Sequence, residues 1–193
     1  MNRAWIITVV FAASCIVGAA LDQIHVRSGA LAYDHPWLLG QAWWVPLQFG
    51  FAFAGLCAFA LEVQRRFGSR TPPMTATSRV VQQATWFLAA YAITGLLHQR
   101  PWTVAAILGV MLAIRIVSVR PDAPTVRIIF FLAAAGTLYE AAVSSLPETF
   151  DYAVTGAGMP VPVWLPLLYA HGAPLLRTFM KNVTAQLTVA SAR

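Results

Sequence analysis

The chain has 193 residues, 59% of them hydrophobic and only 10% charged, with a mean hydropathy of +0.65. One soluble core of this length cannot bury that much apolar surface, so the composition points to a membrane domain. The formal charge of +6 does not point to nucleic acid, because the basic residues flank apolar blocks and do not gather on a polar face.

In chain order the apolar blocks run Ala4 to Leu21, Ala42 to Leu61, Ala84 to Leu97, Trp102 to Val119, Val126 to Val143 and Val161 to Met180. At about 1.5 Å per helical residue a block of about 18 residues reaches about 27 Å, enough for a hydrocarbon core. The third block is short and must borrow Val80 to Gln83 to cross. The expected fold is therefore all-α: a single transmembrane domain over residues 1–193 with six helices in one bundle, spanning about 4–21, 42–61, 80–97, 102–119, 126–143 and 161–180. Trp5, Trp43, Trp44, Trp86, Trp102 and Trp164 stand at or near block ends, where amphipathic rings favour the headgroup zone.

The first block has a signal-peptide-like start, with Arg3 before an apolar run and a faint lipoprotein-like box at Ala12 to Cys15. The run continues past Cys15 and five further spans follow, so it is expected to remain as a span. Gly68 to Ser78, with Pro72 and Pro73, reads as a linker. Six spans bring both termini and the loops after spans two and four to one side, which receives eleven of the 13 basic residues; only Arg27 and Arg100 fall opposite. The positive-inside rule makes that side cytoplasmic. Arg115 and Arg177, one turn inside their spans, are expected to snorkel to the interface. Asn182 to Thr184 match a glycosylation sequon, but on the cytoplasmic side the match carries no function. Cys15 and Cys57 lie inside apolar blocks and read as small packing residues, not as a disulfide or zinc site.

In hydrocarbon each polar side chain needs a partner, so the polar residues inside spans carry the most information. Helical spacing puts Ala133, Gly136, Thr137, Glu140 and Ser144 on one face of span five. Likewise Trp44, Gln48 and Gly55 share a face of span two, Tyr91, Thr94, Gly95 and His98 one of span three, and Trp164, His171 and Thr178 one of span six. Pro160, Pro162, Pro166 and Pro174 predict a bent span six whose freed carbonyls need a polar wall, and His171 is placed to bond one of them. Taken singly, Gln48, Glu140 or His171 reads as glue between helices; taken together they read as a pocket lining. On the opposite, outer side Asp22, His25, Asp34, His35 and His98 include metal-ligand residue types, but without a ligand spacing they read as solvated loop residues. No nucleophile elbow, phosphate loop or metalloprotease motif occurs, so no catalytic residue and no metal is assigned.

At span two, Ala42, Trp43, Trp44, Val45 and Pro46, followed by Gly50, resemble the signature of the Insig (insulin-induced gene) family of membrane proteins. The similarity continues to Gly68, recurs at Gly95 to His98, and returns at Trp164, Leu165, Pro166, Gly172 and Arg177. The chain departs from the family at Leu47, Gln48 and Phe49, where a second proline and cysteines are common. Only Asp122 corresponds to an Asp-Arg-rich turn linked in eukaryotic members to partners with sterol-sensing domains. Of the basic residues only Lys181 is lysine, a usage common in GC-rich bacterial genomes. The resemblance implies a bacterial Insig homologue: six spans with cytoplasmic termini, no enzymatic activity, and a hydrophobic ligand held between the spans. The ligand expected is a neutral lipid, diacylglycerol-like or sterol-like, with its head among Trp44, Gln48, Tyr91, Thr94, His98, Thr137, Glu140, Trp164 and His171. A homo-oligomer and an unidentified membrane-protein partner are also expected. Three alternatives stay open: a small proton-coupled transporter titrating Glu140 and His171, an integral membrane lipid-modifying enzyme using the outer Asp and His residues, and a relative of the five-span, tryptophan-rich translocator proteins.

Overall fold

The computed structural model describes residues 3–67, 75–156 and 158–191. The apolar blocks form six helices: α1 Arg3–Ser28, α2 Val45–Phe67, α3 Thr77–Leu96, α4 Pro101–Val119, α5 Ala123–Ser144 and α6 Leu165–Ser191. Local chemistry sets several of the ends. Gly29 adopts φ 75° and stops α1, since a left-handed residue costs glycine little. Arg120 closes α4 in the left-handed region, Pro121 follows it, and the Asp122 side chain caps α5 by accepting from the Thr125 N–H at 3.0 Å. Of the four prolines around span six, Pro160 and Pro162 precede the helix and Pro166 lies in its first turn, so Pro174 alone sits in its interior. The linker expected from Gly68 to Ser78 lies outside the described residues as far as residue 74, and Thr77 and Ser78 already belong to α3.

One element was not anticipated. β1 Leu31–Tyr33 pairs antiparallel with β2 Phe150–Tyr152, with Leu31 opposite Tyr152 and Tyr33 opposite Phe150. Both strands bury their first and third residues and expose the middle one, the alternation a one-sided ribbon requires. The ribbon caps the end of the bundle opposite the termini and sends four side chains, three of them aromatic, into the main core with Val45, Trp164 and Leu165.

α6 is the central helix and packs on α2, α3, α4 and α5, while α1 packs on α2 and α3. Small residues let these helices approach. A Cβ at Gly136 would overlap the Tyr169 ring, and one at Gly50 would overlap Cys15 and Phe11. α1 from Ala4, α4 and α5 are each long and apolar enough to cross a membrane, and α2 carries a shorter apolar run, Val45–Phe59. Ile16, Val17, Phe51, Phe130 and Leu138 on these helices face outward, the apolar exterior that acyl chains cover. α3 and α6 are less apolar because they carry the buried polar residues Gln83, Thr94, His171 and Thr178. The chain is an integral membrane protein built as a six-helix bundle.

Candidate functional site

Under the ribbon, aromatic rings pack in a continuous series. His25 stacks on Tyr91 with ring centroids 5.0 Å apart and lies 5.5 Å from Trp164. Trp164 meets Tyr152 edge-on at 6.1 Å, and Trp44 packs against Tyr33 at 5.6 Å and Phe150 at 6.4 Å. The expected residues Trp44, Tyr91, Thr94, Glu140 and Trp164 thus belong to one region, built from α3, α5, β2 and the approaches to α2 and α6.

Most polar groups in this region already have partners within the chain. The Glu140 carboxylate accepts from the Tyr152 and Tyr169 hydroxyls. The Thr94 hydroxyl donates to the Tyr91 carbonyl oxygen at 2.8 Å and contacts His25 Nε2 at 2.7 Å. With its proton committed to Tyr91, the hydroxyl accepts from His25, which fixes the histidine as the Nε2–H tautomer. Asp22 Oδ2 accepts from Tyr33 at 2.9 Å and from Gln41 at 2.8 Å. Asp22 and His25 are therefore buried structural residues on the last turns of α1, which corrects the expectation that they are solvated. The outer Asp and His residues do not converge: Asp34 and His35 are exposed, and His35 faces Glu148 at 3.6 Å.

Four of the expected residues have polar atoms without a hydrogen-bond partner among the described residues. Trp164 Nε1 and Thr137 Oγ1 are buried and unpaired. The Tyr91 hydroxyl and the half-buried Gln48 amide form no side-chain hydrogen bond with described residues. Buried groups of this kind are rare unless water or a ligand satisfies them. Thr137 precedes Glu140 by three residues and so shares its face of α5.

Two expected residues stand apart. His98 lies in the turn just past the end of α3, with Nδ1 against the Gly95 carbonyl oxygen at 2.7 Å and Nε2 against Gln99 at 2.7 Å. His171 lies deeper along α6, where Nε2 donates to the Leu108 carbonyl oxygen at 3.1 Å and Nδ1 faces Arg115 at 3.4 Å. The carbonyl it satisfies belongs to α4, not to the proline-rich helix as expected. Arg115 does not snorkel. It is 3% exposed, donates to the His171 carbonyl oxygen at 2.9 Å and bonds Gln83. A guanidinium one turn inside the span found protein acceptors on α3 and α6 and had no need of the interface. Arg177 stays half-buried, 4.0 Å from Asp122.

No protein-family model and no curated protein matches the chain. Two solved structures do. One is described as a mycobacterial Insig homologue, MvINS, from Mycobacterium vanbaalenii; the TM-score is 0.77 at 22% identity, covering 93% of this chain and 94% of that one. The chain has the fold of an Insig homologue. The second structure, a cross-linked trimer of MvINS, gives a TM-score of 0.74 at 21% identity over 92% of this chain and 93% of that one. The likeness spans nearly the whole length of both chains, so the six helices and their order are shared from end to end.

Proposed function

We propose that this protein is an Insig-like, non-enzymatic membrane protein that holds a neutral lipid, diacylglycerol-like or sterol-like, between its helices. The observation that carries the reading is the pair of buried, unpaired groups, Trp164 Nε1 and Thr137 Oγ1, set among neighbours whose hydrogen bonds are already made. An ester carbonyl or a hydroxyl from a lipid head supplies what both lack, and the Tyr91 ring, which shares the His25 neighbour of Trp164, brings a further hydroxyl. Glu140 and Asp22 are occupied by Tyr152, Tyr169, Tyr33 and Gln41, so these two acids are already engaged beneath the ribbon, which favours a neutral head over an ionic one. Occupancy would stabilise one packing of α5 and α6 and thereby bias a surface that a partner reads.

In this reading the terminus-bearing side is cytoplasmic, in a bacterial inner membrane, as the arginine distribution argues. The assembly is a homo-oligomer, and the MvINS trimer makes three copies the expected number. The test is mass spectrometry of lipids that survive gentle purification, on the native chain and on a Trp164→Phe, Thr137→Val variant that keeps the shapes and removes the donors. One enriched neutral lipid, lost in the variant, supports the proposal. A lipid profile matching the bulk membrane in the native chain refutes it.

A further inference from the structure

At the end of the bundle that carries the termini, α3, α4, α5 and α6 enclose a cavity of about 220 Å³. Leu112, Ile116 and Ile129 form part of its wall, yet five cationic side chains line it, Arg79, Arg115, Arg120, Arg177 and Lys181, against the single carboxylate of Asp122. Asp122 is engaged by Lys181 at 3.5 Å and Arg177 at 4.0 Å. Arg79, Arg115 and Arg120 have no acidic partner among the described residues.

Exposed cations at a membrane face are ordinarily neutralised by water and counterions, and Arg79 and Arg120 taken alone need no other account. Arg115 is different. It is 3% exposed, its terminal nitrogens are held by the neutral groups Gln83 and His171, and its Nε–H has no acceptor. Arg177 Nε, on the facing helix, is likewise buried and unpaired. A buried guanidinium with neutral partners and a spare donor is an expensive arrangement unless an anion completes it.

We propose that this cavity binds a phosphoryl group. Its cations come from three helices and the α4–α5 turn, so they surround the centre, and an anion with several oxygens can meet more than one guanidinium at once. The space lies below the about 300–1,000 Å³ of pockets that enclose drug-sized ligands. It admits a phosphate or a phosphoglycerol head and leaves acyl chains outside. An anionic phospholipid of the adjoining leaflet or free phosphate would each supply this chemistry. The site is separate from the neutral-lipid region beneath the ribbon and does not depend on that reading.

The test uses the full chain in a maltoside detergent, which contributes no phosphate, with arginine Nε–H signals followed by nuclear magnetic resonance. Inorganic phosphate and a short-chain phosphatidylglycerol are the probes, and short-chain diacylglycerol is the uncharged control. The expected result is a saturable shift of the Arg115 Nε–H signal with one or both phosphoryl probes and none with diacylglycerol. Binding should be at least about tenfold weaker in an Arg79→Gln, Arg120→Gln double variant, which alters exposed residues and leaves the core intact. A response to phosphate identifies the free anion as sufficient; a response to phosphatidylglycerol alone identifies the lipid head. No shift with either probe, or unchanged affinity in the double variant, overturns the proposal.

Discussion

Arg115 donates to the main-chain carbonyl oxygen of His171 at 2.9 Å, joining α4 to α6 in the turn before Pro174. A proline there removes the N–H that would close that turn and presses its ring against the preceding carbonyls. The carbonyl that loses its helical donor is that of Ala170, four residues before Pro174, and the guanidinium binds the next carbonyl along the same turn. His171 returns the connection by donating Nε2–H to the Leu108 carbonyl oxygen at 3.1 Å, so α4 and α6 are cross-linked in both directions. The same geometry places both ring nitrogens of His171 against groups of α4, Nε2 on the Leu108 carbonyl and Nδ1 3.4 Å from Arg115.

Replacing Arg115 with Met keeps most of the side-chain volume and removes these donors. The His171 carbonyl and Gln83 then lose their partner in a buried setting. A cost of about 2–3 kcal/mol is expected, read as a lower unfolding midpoint in detergent. If Arg115→Met matched the native midpoint, the cross-link would be incidental to stability.

Glu140 should be energetically coupled to the tyrosines that hold it. Losing either hydroxyl, in Tyr152→Phe or Tyr169→Phe, is expected to cost about 1–3 kcal/mol by leaving the carboxylate short of a buried donor. In a Glu140→Leu background the same tyrosine changes should cost much less, giving a coupling of at least about 1 kcal/mol in a double-mutant cycle. Additive effects would mean that the hydroxyls do not serve Glu140.

The glycines on α2 and α5 predict effects of opposite sign. A Cβ at Gly136 would overlap Tyr169, whose hydroxyl serves Glu140, so Gly136→Ala should separate α5 from α6 and destabilise by about 1–3 kcal/mol. A Cβ at Gly55 meets nothing within 4 Å, and Gly55→Ala should stabilise α2 by up to about 1 kcal/mol through helix propensity. Unfolding midpoints of the two variants, measured side by side, separate close packing from intrinsic propensity.

Hydropathy made the six helices legible because a span must be apolar along most of its length, a signal that needs no knowledge of neighbours. Strands of three residues carry too few alternations to register, which is why the Leu31–Tyr33 and Phe150–Tyr152 ribbon was missed. Asp22 and His25 misled for a related reason. They interrupt the apolar run, yet α1 continues helically to Ser28 and buries both against partners from the ribbon and α3. The i,i+3 spacing of Asp22 and His25, with Leu21 and Ile24 beside them, was the available hint of helix. Arg115 was read as snorkelling because its acceptors are remote, Gln83 by 32 positions and His171 by 56. Glu140 was correctly singled out as an inward-facing acid, but its hydroxyl donors on β2 and α6 emerge only from the assembled bundle.

Asp122 joins two roles at the α4–α5 turn, helix cap and ion-pair partner, and pH should separate them. Partial burial would raise its pKa, but the Thr125 hydroxyl and N–H and the charges of Lys181 and Arg177 outweigh burial and hold the carboxyl below its usual range. A carboxylate depressed in the folded state contributes stability that is present above its unfolded pKa, about 3.9, and is lost as pH falls through the lower folded value. With the side chain 47% exposed, the charge component is screened and small. Asp122→Asn retains an N-cap acceptor and removes the charge, so its stability should fall slightly below native near pH 6 and converge with native at acid pH, as pH falls through the depressed folded value. Asp122→Ala loses the cap as well and should remain about 1 kcal/mol less stable at both pH values. Thermal unfolding of the three proteins from near pH 6 down through that acid range checks this. A gap between native and Asn that stayed constant with pH would assign the residue's effect to geometry alone and remove its ion pairs from the account.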